Sequence, residues 1–174
     1  MVFIDGGYLA KILRDQFGGA HLDFQKFSDN ICNSIGVSRM RTYYYTCLPI
    51  KRKGNKDDEK RYSNAQKFLD KLKRLPRFEV RLGRLQNING VFKQKMVDVN
   101  MSLDIVDICF DRQVDHIIIV AGDSDFIPAI SRAKKYGVIV HLFYHPSSVH
   151  KHVLDEVDEI HELANDLIAE SKLS

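Results

Sequence analysis

The chain has 174 residues, 44% of them hydrophobic and 28% charged, with a formal net charge of +3; this is the composition of one ordinary globular domain with a real core. That balance excludes nucleic-acid binding through overall charge alone, so any basic surface has to come from local clustering. The scattered cysteines Cys32, Cys47 and Cys109 form no CxxC or Cys/His ligand spacing, which argues against a disulfide framework or structural zinc and for a reducing, cytoplasmic setting; no apolar run nears the ~20 residues of a membrane span.

Val2 to Ile4 are apolar and lead into Asp5-Gly6-Gly7, a short buried strand with an acid at its carboxyl end. The glycines permit a sharp turn or a close backbone approach, and the start reads as a strand rather than a signal peptide. Tyr8 to Phe17 predicts a helix stopped by Gly18-Gly19. Phe24, Phe27, Ile31 and Ile35, spaced 3, 4 and 4, predict a second. Arg41 to Leu48 (RTYYYTCL) is aromatic and β-branched, hence a strand, and Pro49 closes it. Lys51 to Arg61 holds no apolar residue and reads as a solvated loop. Tyr62 to Leu75 predicts a helix ended by Pro76. Phe78 to Leu85 alternates apolar and charged residues, the pattern of a half-exposed strand near a sheet edge. A turn at Asn89-Gly90 makes Val91 to Lys95 a hairpin return.

Val97 to Arg112 predicts a helix with Val97, Met101, Ile105 and Ile108 on one face and Asn100, Asp104, Asp107 and Asp111 on another. Ile117 to Val120 are consecutive apolar residues, a strand buried on both faces, and Gly122-Asp123-Ser124-Asp125 follows. A helix then runs from Asp125 to Tyr136, with Ser124 as its expected N-cap and Pro128 in its first turn. Val138 to Tyr144 is another buried strand. Val149 to Ser171 reads as acidic and helical, in one piece or two. Such alternation implies a single α/β domain over residues 1–174, with a mostly parallel central sheet between two helical layers and 149–174 as a C-terminal helical segment.

Parallel strands put their carboxyl ends on one edge, where ligands bind in sheets of this kind. Asp5 and Asp123 each close a strand and project to that edge. Asp98 opens a helix that returns from it, and Asp125 lies in the first turn after Asp123. Carboxylates gathered at one point repel one another unless a cation sits among them. Oxygen-only ligands select Mg²⁺ or Mn²⁺, ions that activate water and neutralise charge on a phosphodiester. Plainer readings stand beside this one. Asp123 can be a turn or cap residue, and Asp98 and Asp125 can complement a helix dipole. Asp5, behind apolar neighbours, fits such a reading least. The stripe Asp104, Asp107, Asp111 points away from Asp98 on an ideal helix and reads as a solvated face.

FIDGGYL from Phe3, KQKMVDVNMSLDIV from Lys93 and VAGDSDFIPAI from Val120 together resemble the NYN domain family, the branch with LabA-like proteins inside the PIN-like nuclease superfamily. The resemblance runs in order over nearly the whole chain. It implies a PIN-like α/β/α sandwich and metal-dependent RNA cleavage leaving a 5′-phosphate. The family's catalytic and metal-binding acids map onto Asp5, Asp98 and Asp123, with Asp125 as a fourth; an acid is also common where Asp104 stands. Two positions depart from the pattern: Gly7 stands where many relatives have Asn, and Met96 replaces the Gly of Lys-Gly-Val-Asp.

For RNA phosphates, Lys95 lies close to a helix N-terminus that suits anions, Lys93 precedes it, and Lys11 and Arg14 follow Asp5 on the first helix. The loop with Lys51, Arg52, Lys53 and Lys56 leaves the second strand at the carboxyl edge. It reads equally as a backbone clamp and as a solvated loop. Tyr43, Tyr44 and Tyr45 could stack bases, although burial in a strand accounts better for at least two of them. Among the C-terminal histidines a transition-metal site is the minor reading; His141 reads as core and His145, His150, His152 and His161 as surface or near-site polar residues. The expected activity is therefore a Mg²⁺- or Mn²⁺-dependent ribonuclease with no membrane contact. The rivals are a non-catalytic RNA-binding regulatory module and a DNA-directed Toprim-like nuclease using Asp123-x-Asp125. A dehalogenase-type phosphatase would need Asp-x-Asp after the first strand, and Gly7 breaks it. A homodimer or a protein partner stays open.

Overall fold

The computed structural model describes residues 1–52, 54–88 and 91–173, those at 85–88 and 91–95 by backbone only. Along the chain run β1 (Val2–Asp5), α1 (Gly6–Gln16), α2 (Phe24–Ser34), β2 (Thr42–Thr46), α3 (Lys56–Lys73), β3 (Phe78–Leu82), β4 (Arg84–Ile88), β5 (Val91–Lys95), α4 (Val97–Phe110), β6 (His116–Val120), α5 (Ile127–Lys135), β7 (Ile139–Tyr144), α6 (Lys151–Glu156), β8 (Glu159–Glu162) and α7 (Asn165–Glu170). Six strands form one sheet in the order β3-β2-β1-β6-β7-β8, and every pairing in it is parallel. The hairpin of β4 and β5 pairs antiparallel beside it; the expected turn at Asn89-Gly90 lies outside the described residues.

Side-chain alternation along each strand splits the core in two. Phe3, Tyr43, Tyr45, Ile117, Ile119 and Leu142 face Met101 and Ile105 of α4 and Ala129 and Ile130 of α5. Val2, Ile4, Tyr44, Ile118, Val120 and Phe143 face Leu9 and Ile12 of α1, Phe27 and Ile31 of α2, and Leu69 and Leu72 of α3. This is the three-layer α/β/α sandwich expected, with an all-parallel sheet at its centre. Each fully buried large side chain contributes roughly 1.5–3 kcal/mol, so the central strands, apolar on both faces, hold the carboxyl edge rigidly.

The structure departs from the sequence reading in four places. Phe78 to Leu85 is not one strand: β3 ends at Leu82 in the main sheet and Arg84 opens β4 of the separate hairpin. Lys56 to Arg61 is helical rather than loop. Asn55 caps α3, its side chain accepting from the amides of Asp57 and Asp58 at 3.1 Å. Asp57, Asp58 and Glu59 then occupy the first turn, where negative charge suits the dipole. An exposed helix start carries no apolar period, so only its cap could have revealed it. The segment 149–174 is not purely helical either, because β8 crosses it. Three of the four residues of β8 are exposed at the sheet edge, which leaves no buried face to read. Finally, Ser124 does not cap α5. Ser124–Phe126 is a 3-10 turn capped by Asp123, whose Oδ1 accepts from the Asp125 amide at 3.1 Å, and α5 starts behind it with Pro128 in its first turn. Among the described residues no helix is long and apolar enough to cross a membrane.

Candidate functional site

Ile4 and Val120 are register partners on neighbouring parallel strands. The chain beyond each therefore leaves the sheet at one edge, and Asp5 and Asp123 come to the same place. Asp5 turns back as the N-cap of α1, its Oδ1 accepting from Gly7 N at 2.9 Å and Tyr8 N at 3.1 Å. Gly6 serves close approach rather than a turn: a Cβ there would lie 2.5 Å from a Tyr44 ring carbon. Burial pushes the Asp5 carboxyl up to about 6; the charges of Asp98 and Asp123 push the same way, against the lowering effect of the Tyr8 and Gly7 amides.

Asp98 sits half-buried in the first turn of α4. Its carboxyl is also raised, by burial first and then by the charges of Asp123 and Asp125. The residue before that helix, Met96, is left-handed with φ +72°. This is the position where the resemblance calls for glycine, and the backbone keeps the glycine conformation with a methionine in it.

Asp123 is exposed, and Gly122 sets its position. A Cβ at Gly122 would lie 2.3 Å from the Ser148 carbonyl oxygen and 2.5 Å from a Tyr8 ring carbon. The segment from His145 to His150 is strapped onto this turn. His150 N donates to Gly122 O at 2.8 Å, His145 N donates to the Tyr8 hydroxyl at 2.8 Å, and Lys11 Nζ donates to Ser148 Oγ at 3.1 Å. Glycine at 122 was visible in the sequence. Tyr8 and Ser148 were not, because nothing local marks a contact between residues so far apart in the chain.

Asp5, Asp98, Asp123 and Asp125 thus share one electrostatic neighbourhood, and Lys11 stands at its rim. Asp104 does not join them, nor is it a solvated charge: it accepts from the Tyr45 hydroxyl at 2.7 Å and faces Arg81 Nε at 3.4 Å. Tyr43, Tyr44 and Tyr45 are all buried, which removes them as stacking platforms. Arg14 pairs with Asp15 at 2.7 Å and borders an apolar cavity of about 620 Å³ lined by Phe24, Tyr44, Phe68 and Leu72. In the basic stretch, Arg52 is held by Asp58 at 2.6 Å and Lys51 lies 5.6 Å over the Tyr62 ring. Lys53 lies outside the described residues. Lys93 and Lys95 are described by backbone alone, in β5 just before α4.

Compared with known families, the chain matches the NYN domain over residues 1–164. The chain belongs to the NYN domain family. The NYN domain family is generally nuclease-like and PIN-like. A crystal structure of a protein of unknown function from Vibrio parahaemolyticus superposes with a TM-score of 0.63 at 20% identity, covering 95% of this chain and 92% of that one; the likeness is one of fold. An uncharacterized protein of Sinorhizobium fredii is 35% identical over 65 residues, and one of Methanocaldococcus jannaschii is 41% identical over 54 residues. Those matches span 37% and 29% of this chain, and only 30% and 22% of the relatives' own lengths.

Proposed function

We propose that this NYN domain is a ribonuclease that hydrolyses RNA phosphodiesters with Mg²⁺ or Mn²⁺, leaving a 5′-phosphate. The observation that carries the reading is the register of Ile4 with Val120, which brings Asp5 and Asp123 to one edge beside Asp98, close enough that the charges of Asp98 and Asp123 add to burial in raising the Asp5 carboxyl. Acids crowded in this way lack a counter-charge, and a divalent cation would supply it. The donor set fits the ion, since carboxylate oxygens alone favour hard cations. Asp5, Asp98 and Asp123 would hold it, with Asp125 as the fourth acid. Such an ion would lower the pKa of water and neutralise charge on the phosphodiester.

The chain's own residues do the rest. Gly7 and Tyr8 amides both bind Asp5 Oδ1, which fixes the plane of that carboxylate. The Tyr8 hydroxyl anchors the His145 backbone, holding the strap against Gly122 and so the reach of Asp123. Lys95, Lys93 and Lys11 lie within six residues of Asp98 or Asp5 along the chain, and Lys95 and Lys11 would position phosphate. A contact of this kind weakens with salt and reads no sequence.

The test is Mn²⁺-dependent cleavage of single-stranded RNA, structured RNA and single-stranded DNA, with Asp5→Asn and Asp123→Asn beside the parent. RNA should be cut, and each variant should lose about 100-fold or more. The reading fails if either variant cuts RNA as fast as the parent. Preferential DNA cleavage would point to the Toprim-like alternative.

A further inference from the structure

We propose that His141, Glu159 and His161 form a second metal site, built for Zn²⁺ or a similar borderline-soft divalent ion, that fastens the edge strand β8 to β7. It is separate from the aspartates: His141 pairs with Ile118, in the middle of β6, whereas the acids lie beyond the carboxyl edge.

Register brings the residues together. His141 pairs with Glu159 and Phe143 with His161 on parallel strands. Residues two apart on a strand point to the same face, so β7 and β8 present these groups to one side of the sheet. The donor atoms form a tight triangle. His141 Nδ1 lies 3.2 Å from Glu159 Oε2 and 3.3 Å from His161 Nε2, and His161 Nε2 lies 3.5 Å from the same Oε2. Zinc binds imidazole nitrogen and carboxylate oxygen at about 2.0–2.2 Å, almost always tetrahedrally. A tetrahedron with such bonds has edges of roughly 3.3–3.6 Å by geometry. The observed triangle is one face of it, and the fourth position faces outward, where the Glu159 side chain is 55% exposed.

The surroundings also suit a metal ligand. The second ring nitrogen of His141, Nε2, lies 3.0 Å from His116 Nδ1. A ligating histidine characteristically gives its remaining N–H to such a partner, which fixes both tautomer and ring plane. The His161 ring stacks on Phe143 at 4.7 Å and 18°, so it too is held before any ion arrives. His141 is nearly fully buried, with a side-chain exposure of 3%. Burial, with His116 and His161 nearby, lowers its pKa against the pull of Glu159; the neutral imidazole is the ligating form.

The tautomer separates this site from a plain hydrogen-bonded cluster. With its proton on Nε2, given to His116, His141 turns a bare Nδ1 lone pair toward a carboxylate oxygen and another imidazole nitrogen, and an ion satisfies all three. With its proton on Nδ1, Glu159 is satisfied and no ion is needed. From the sequence a transition-metal site among the C-terminal histidines was only the minor reading, because the ligands lie on two strands and their meeting depends on register alone.

The experiment uses the chain without a histidine tag, stripped with EDTA and kept in millimolar Mg²⁺. It is titrated with Co²⁺ as a visible probe. The expected result is one Co²⁺ per chain with the intense d–d absorption of a four-coordinate ion, displaced by Zn²⁺. His161→Ala and Glu159→Gln, both on the edge strand, should each weaken Co²⁺ binding by at least about 10-fold. Circular dichroism checks that both variants keep the parent fold. Asp123→Asn and the His150→Ala/His152→Ala double variant should leave the bands unchanged; the latter controls for the neighbouring ring pair His150 and His152. Absence of the bands, their survival in folded His161→Ala, or their loss in either control overturns the proposal. RNA cleavage is not part of the readout, so this site and the nuclease reading stand or fall separately.

Discussion

Met96 shows how one residue can hold a site at a cost. Its left-handed backbone, φ +72° and ψ 0°, lets β5 turn into α4 so that Asp98 opens the helix at the carboxyl edge. The Met96 carbonyl already accepts the first helical bond, from Asn100 N at 2.9 Å. A side chain in this conformation costs roughly 1–2 kcal/mol, and the Met96 side chain is half exposed, with little packing to offset that. Glycine removes the strain but adds freedom to the unfolded chain. Met96→Gly should therefore stabilise the protein by a net of about 0.5–1 kcal/mol, read as a higher urea midpoint with an unchanged m-value. A destabilised Met96→Gly protein would mean that the methionine side chain matters more to the fold than the strain does.

Among elements, the decisive junction joins the ends of β6 and β7 to α1. Gly122 admits no side chain, since the Ser148 carbonyl and the Tyr8 ring stand where a Cβ would go. Backbone cannot yield as a flexible side chain can, so the strap must move. Gly122→Ala should cost about 1–3 kcal/mol, seen in thermal unfolding. It should also reduce cleavage more than Lys11→Ala does, because it displaces Asp123 itself. Activity equal to the parent would show that the strap does not position the site. Strand ends and helix starts of this kind were readable from the chain. The runs Val2–Ile4 and Ile117–Val120 name buried strands, and an acid after each names the edge. What failed to show was whatever depends on exposure or on distance in sequence. β8 is an edge strand without a buried face, the start of α3 is all polar, and the Tyr8–Ser148–Gly122 contact joins three distant segments. Asp104 misled for the opposite reason: helix periodicity placed it in solvent, whereas Tyr45 and Arg81, from β2 and β3, come out to meet it.

At the scale of the whole molecule, the acid cluster couples stability to pH and, on the proposed reading, to metal with the opposite sign. The Asp5 carboxyl rises from its ordinary 3.8 to about 6 in the folded state. The native protein therefore holds that proton more tightly than the unfolded chain does. Without metal, the associated stability is present below about pH 4 and is lost as pH rises through about 6. Asp98 is shifted the same way. At pH 7.5 the ionised cluster thus destabilises the metal-free protein, by an amount on the order of 1–3 kcal/mol after allowing for partial exposure. Asp5→Asn keeps an oxygen for the Gly7 and Tyr8 amides while removing the charge, so the metal-free variant should melt higher than the parent at pH 7.5 and by only about half as much at pH 5. On the proposed reading manganese acts in reverse: it would bind the ionised acids, and saturation at 100 times its Kd would add about 2.7 kcal/mol to the folded state. That gain should be full at pH 7.5, shrink as protons compete below about 6, and be largely absent from Asp5→Asn at every pH. Thermal melts of parent and variant, with and without Mn²⁺ at pH 7.5 and pH 5, read all of these at once. The difference between the two proteins cancels titrations elsewhere in the chain. A manganese gain that is equally large at pH 5, or unchanged in Asp5→Asn, would place the ion away from these aspartates and take the nuclease reading with it.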